Sequence, residues 1–178
     1  MASLVDRMLR ASKLDVNLYE EVEADQSSMG QAVTVVVLSS VASGIGTISV
    51  LGIKGLIIGT VSALIGWFVW AFLVYIIGTK LLPEPQTKSD VGELLRTIGF
   101  SSSPGVLRVF GFIPFVGAII SFAAGIWMLV AMIIAVRQAL DYKSTWRAIG
   151  VCAIGFVIYL VVIALIFSLL GLPGMMAG

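Results

Sequence analysis

Chemistry in this chain would concentrate at Arg108. It stands in Pro104-Gly105-Val106-Leu107-Arg108-Val109-Phe110-Gly111-Phe112-Ile113-Pro114, an apolar stretch bounded by two prolines, with long hydrophobic runs on both sides. A charge at mid-bilayer costs about 2.5–3.5 kcal/mol on insertion scales, so an intramembrane arginine is read by default as functional. Its chemistry would be attraction of an anion. The other reading is snorkelling to the outer headgroups, because Ile113 is only five residues on. Pro104 and Pro114 join it as candidates, since interrupted helices at membrane depth often line a cavity.

What is missing narrows the chemistry further. The sequence has no histidine, the commonest general base and metal ligand. Its one cysteine, Cys152, excludes an intrachain disulfide. No long apolar run contains an aspartate or glutamate, so the carboxylate pair of an aspartyl intramembrane protease and the buried acid of a proton-coupled carrier are both absent. No cluster has metal-ligand spacing. There is no phosphate-binding loop, and Gly44-Ile45-Gly46 is too short to be a dinucleotide fingerprint. The expectation is a protein that is not an enzyme and uses no cofactor. A net charge of +1 argues against nucleic acid as a partner.

The elements that must hold Arg108 are membrane helices. The chain is 59% hydrophobic and 12% charged, against about 45–50% and about 25% for soluble domains. Residues 1–28 are polar and lack the apolar core of a signal peptide. Leu4, Val5, Met8, Leu9 and Ala11 fall at helical spacing opposite Asp6, Arg7, Arg10 and Lys13, which predicts a short interfacial helix. Asn17–Asp25 predicts a second. Residues 29–53 carry no charge and suffice for one span; Lys54 closes that run, and 55–79 forms the next. Between them stands only Lys54, which predicts an antiparallel hairpin. Ser40/Gly44 and Ala42/Gly46 predict a face packed on another helix, and Gly55, Gly59 and Ala63 repeat the spacing. Trp67 and Trp70 fall mid-span and read as packing residues rather than interface anchors.

Residues 80–90 form a polar, proline-containing loop, and Asp90 with Glu93 reads as a capped helix start. Ser101-Ser102-Ser103-Pro104-Gly105 then interrupts the helix, with the serine hydroxyls as partners for freed backbone groups. The third span is therefore either broken and kinked or a pair of re-entrant pieces. Residues 116–136 and 148–170 complete five spans, with Tyr142 and Trp146 placed as an aromatic belt. A cytoplasmic N-terminus puts Arg7, Arg10, Lys13, Lys80, Lys88, Arg96, Arg137, Lys143 and Arg147 on the cytoplasmic side, nine of the eleven basic residues. The expected fold class is all-α: a polytopic bundle of five transmembrane helices, the third broken or kinked. Residues 1–28 form a cytoplasmic or interfacial segment, 29–170 the membrane domain and 171–178 a short tail.

Several stretches resemble the Yip family of Ypt/Rab-interacting membrane proteins: Asp90-Val91-Gly92-Glu93-Leu94-Leu95-Arg96-Thr97-Ile98-Gly99-Phe100-Ser101-Ser102-Ser103-Pro104, Phe112-Ile113-Pro114-Phe115-Val116-Gly117, Gly125-Ile126-Trp127, Ala135-Val136-Arg137-Gln138-Ala139-Leu140 and Trp146-Arg147-Ala148-Ile149. Tyr19-Glu20-Glu21-Val22-Glu23-Ala24-Asp25 is similar to the start of the domain in prokaryotic members. The resemblance covers about residues 15–170 and adds Arg96, Glu20 and Glu21 to the candidates. It implies five membrane helices with a cytoplasmic N-terminus and, for eukaryotic members, vesicle trafficking with small GTPases. The short N-terminal region resembles a prokaryotic member, so a GTPase partner is only a remote analogy and the cell membrane is the implied location. The family implies no catalytic residues. The expected role is a non-enzymatic scaffold or accessory factor contacting the bilayer and other membrane proteins or itself. The alternative is a small transporter or channel for an anionic solute, using Pro104–Pro114 and Arg108.

Overall fold

In the computed structural model, residues 2–169 are described, and all their regular structure is helical. The expected tail at 171–178 lies outside the described residues. Four helical stretches are long and apolar enough to cross a membrane: Gln26–Gly46, Leu51–Leu81, Val116–Ala139 and Thr145–Val162.

Two short helices come first, α1 (Leu4–Ser12) and α2 (Val16–Ala24). The Ser3 hydroxyl caps α1 by accepting from the Asp6 N–H, and the Asp15 carboxylate caps α2 through the Asn17 N–H. The predicted apolar face of α1 is divided. Leu4, Met8 and Ala11 pack on Leu18, Tyr19, Val22 and Phe100, whereas Val5 and Leu9 stay exposed. Arg7, expected on the solvated face, is instead buried, because Glu21 on α2 and Asp25 just beyond it neutralise it at 2.8 Å.

The next helix, α3 (Met29–Gly46), turns through the single residue Thr47 into α4 (Ile48–Ile76). The break thus falls at Thr47 and not at Lys54, which lies within α4. Gly52 kinks α4 at φ 62°, ψ −172°, a conformation that essentially only glycine adopts. A π-helical stretch, Ile77–Leu81, ends the run. There the Tyr142 hydroxyl lies within hydrogen-bond distance of the Gly78 and Leu82 carbonyls (3.0 and 2.8 Å). Tyr142 is therefore a buried tie and not a belt residue, while Trp146 is 81% exposed.

The predicted capping box at Asp90 and Glu93 forms, with both reciprocal bonds at 2.9 Å, and starts α5 (Val91–Ser101). Pro104 then forces a change of helix type. A 3₁₀ segment runs from Ser103 to Phe112, far beyond the few residues usual for that geometry. The Ser101 and Ser103 hydroxyls donate to the Ile98 and Phe100 carbonyls, as the break requires. Phe115, at φ 63°, turns the chain into α6 (Val116–Ala139), and α7 (Thr145–Leu169) follows.

Glycine contacts fix the register. A β-carbon on Gly99 would meet Ala32, one on Gly105 would meet Ser39, and Gly111 already lies against Gly46. The α5–3₁₀ run therefore tracks α3 in the same direction over most of its length. Helix α6 returns antiparallel, with Gly117 against Gly111 and Gly125 beside Arg108. Helix α7 packs along α4, with Gly155 on Trp70 and Ile77. Both apolar clusters lie toward one end, the polar end, where α3 begins and α4 stops. One cluster joins α4 to α7 around Val74, Ile77, Leu94, Leu140 and Val151; the other seats the N-terminal hairpin around Tyr19, Val35 and Phe100.

Candidate functional site

At the polar end, charged side chains act as ties. Arg96 on α5 is buried; its Nε donates to the Val22 carbonyl at 2.8 Å and its Nη2 to the Glu23 carbonyl. These carbonyls close α2, where a helix leaves acceptors without internal partners and carries partial negative charge. Arg7 reaches Glu21, Asp25 and Gln31, and Arg10 reaches Asp15 and Glu21. The Arg10 and Arg7 guanidiniums hold the Glu21 carboxyl below the usual range. Glu20 accepts from the Gln138 amide at the end of α6. Glu84 pairs with Arg147 at 3.2 Å and accepts the Lys143 N–H, joining the 82–90 loop to the α6–α7 turn.

Glu23 differs from these neighbours. Its Oε2 is buried without a partner, and burial, then Glu20, Glu93 and Asp141, push its carboxyl up to about 8 against the opposing pull of Arg96.

Arg108 stands apart, on the 3₁₀ segment toward the opposite end. Its carbonyl lies against Gly46, at the close of α3, but its Nη2 is 3.3 Å from the position a β-carbon on Gly125 would take. Gly125 is nine residues into α6, so the guanidinium reaches inward along the bundle. The side chain thus runs from the Gly46 contact toward Gly125 of α6. No hydrogen bond or ion pair forms to this guanidinium among the described residues.

Two cavities meet at Arg108. One, of about 450 Å³, lies between α3, α4 and the 3₁₀ segment and is lined by Ser39, Ser43, Gly44, Gly59, Trp70, Ser102, Arg108 and Tyr159 among others. The second, of about 460 Å³, lies on the α6 side and includes Gly46, Gly111 and Ser121. Pro104 is buried beside the first and sets the 3₁₀ course. Pro114 is exposed in the turn before α6, away from Arg108. The small residues of α4 do not make the close helix contact their spacing suggests. Gly44 meets Leu56, but beyond that point α3 and α4 part, and a β-carbon on Gly59 or Gly66 would meet nothing within 4 Å.

Of the six sequence candidates, Arg96, Glu20 and Glu21 tie the N-terminal helices to the bundle, Arg108 lines both cavities, and Pro104 and Pro114 line neither. Sequence reasoning missed Ser39, Ser43 and Trp70 as cavity residues. Ser39, Ser43 and Thr47 recur every four positions, a polar stripe that was the available signal. Trp67 and Trp70 both pack against the α4–α7 cluster; Trp67 Nε1 donates to the Leu95 carbonyl at 3.1 Å, whereas Trp70 Nε1 is buried without a partner.

Neither curated proteins nor solved structures give a match to this chain. The Yip1 domain matches residues 18–166. This match begins within α2, leaves out α1 with Arg7 and Arg10, covers the broken α5–3₁₀ run and both cavities, and ends in α7. The chain is thus a multi-pass membrane protein belonging to the Yip family.

Proposed function

We infer that this protein is a non-enzymatic accessory or scaffold factor that works through contacts with lipid and with other membrane helices. The observation that carries this reading is the bareness of α4. Only 11% of its most apolar window is buried, and Ile53, Ile57, Ile58, Val61, Ile65, Phe68 and Phe72 all face outward. A span so little covered by its own bundle offers its surface to lipid or to a neighbouring protein.

The reading includes five crossings, the third made of α5 and the 3₁₀ segment together. At about 1.5 and 2.0 Å rise per residue these lengths suffice for a bilayer, and the register with α3 supports it. A cytoplasmic polar end follows from its basic residues. In a Cys152→Ser background, single cysteines at Ser3, Ser89 and Ser144 should react with an impermeant maleimide only from the cytoplasmic side, and one at Phe112 only from the other. Labelling of Phe112→Cys together with Ser89→Cys would replace the third crossing with a re-entrant pair.

For function, the protein is extracted in native polymer nanodiscs and its co-purifying proteins and lipids are quantified by mass spectrometry. A stoichiometric membrane protein or an enriched lipid is expected. Neither, combined with anion flux in liposomes that Arg108→Ala abolishes, would overturn the reading in favour of anion transport through the Pro104–Pro114 region.

A further inference from the structure

We propose that the cavity between α3, α4 and the 3₁₀ segment binds a phosphate group through Arg108, and that a phospholipid of the adjoining leaflet supplies it. The proposal deepens the lipid-contact reading above and rests on it.

The first argument is charge. A guanidinium at membrane depth is tolerated when paired, yet Arg108 has no ion pair or hydrogen bond among the described residues. No side-chain carboxylate among the described residues is placed to serve it. All ten acidic residues fall at 6–25, 84–93 and 141, on segments of the polar end. The counter-charge must come from outside the chain. Arginine's planar fork of donors matches phosphate oxygens and binds them bidentately.

The second argument is the polar lining. A hydroxyl in a helix commonly satisfies itself on the carbonyl three or four residues back. Thr34, Ser40, Thr60, Thr79 and Thr97 all do so here. Ser39, Ser43 and Ser102, which line the cavity, make no such bond, and Trp70 Nε1 is buried in its wall without a partner. The three serine hydroxyls share the cavity wall with one unpaired cation, whereas Trp70 lies farther along that wall, beside Gly155 of α7.

The third argument is shape. About 450 Å³ falls within the range of small-molecule sites. Thr47 and Gly59 on its rim are exposed, so it opens to the bilayer where α3 and α4 part. Thr47 marks the turn between those helices, at the headgroup level of one leaflet. A headgroup can enter from there while its acyl chains stay against α4.

The test uses the full-length protein and native mass spectrometry from nanodiscs of phosphatidylcholine with phosphatidylglycerol as the probe. A second arm titrates inorganic phosphate into lipid-depleted detergent and follows the melting temperature. Retained phosphatidylglycerol should fall about tenfold or more in Arg108→Gln, fall less in Arg108→Lys, and stay unchanged in Lys54→Gln, whose lysine is exposed. Stabilisation by inorganic phosphate without lipid retention, lost in Arg108→Gln, would keep the phosphate site but overturn the lipid as its source. If Arg108→Gln does not give a monodisperse protein, Gly59→Trp, which fills the cavity mouth, should lower retention in its place. Equal retention and equal phosphate response in wild type and the tested variant overturn the proposal. Co-purifying proteins in native nanodiscs would still report on the accessory role, so the two failures are distinguishable.

Discussion

Arg96 and Arg108 lie on the same broken run, yet their surroundings are opposite. Arg96 is buried against the last carbonyls of α2 and ties the N-terminal hairpin to α5. Arg108 has no protein partner among the described residues and lies where two cavities meet. The same contrast divides the whole bundle. Its polar end is closed by both apolar clusters and by the ion pairs of Arg7, Arg10 and Arg147. Its other end is held by close glycine contacts and leaves space. A guanidinium that is fully satisfied stabilises a fold, and one without a protein partner inside a membrane protein is by default a candidate for a ligand from outside the chain.

The largest effect should come from the arginines themselves. Arg96→Met strips two α2 carbonyls of their donors and should cost on the order of 3 kcal/mol. It should also release the hairpin to limited proteolysis near residues 13–15. In lipid-depleted, phosphate-free detergent, Arg108→Met should leave the melting temperature unchanged or raise it, because a charge without a partner is removed. Equal losses at both positions would break the comparison.

Glycines offer the next contrast. Gly105→Ala drives a methyl into Ser39 and Met128 and should destabilise by about 1–3 kcal/mol. Gly59→Ala meets nothing and should stabilise by about 0.5–1 kcal/mol through helix propensity. Thermal unfolding in one detergent compares the two directly. A destabilising Gly59→Ala would mean that α3 and α4 close on each other.

The tryptophans repeat the pattern on a smaller scale. Trp67→Phe loses the bond to Leu95 and should cost about 1 kcal/mol beyond the packing change, while Trp70→Phe, which loses no bond, should cost less. Matching shifts for the two would show that Trp70 Nε1 does find a partner within the protein.

The smallest effect concerns pH. The Glu23 carboxyl is raised to about 8, chiefly by burial, facing Glu20, Glu93 and Asp141 with Arg96 opposing. A raised carboxyl favours the folded hairpin in full below its ordinary value of 4.5; that contribution declines above it and is lost as pH rises through about 8. Glu23→Gln should flatten the fall in melting temperature between pH 6 and 9. An unchanged profile would mean that the hairpin does not bury this carboxyl.

Several features are legible because they are local. The capping box of Asp90 and Glu93, the serine-proline break and the long apolar helices depend on spacing along one segment. The α3–α4 break is not where the sequence suggests, because the charge of Lys54 looks like the end of a span, whereas Gly52 and Thr47 carry the change in backbone. Tyr142 looks interfacial because its two acceptors, at Gly78 and Leu82, are some sixty residues away in the chain.

Composition and apolar runs by themselves determined a helical membrane protein, since lipid admits few ways to satisfy a backbone. They also keep every aspartate and glutamate out of the long apolar runs. Only the tertiary structure decided which arginine is satisfied. Arg96 and Arg108 are chemically identical, and their difference lies in whether a helix terminus or a cavity is packed against them. That choice is made by contacts between segments far apart in the chain, for which spacing carries no signal.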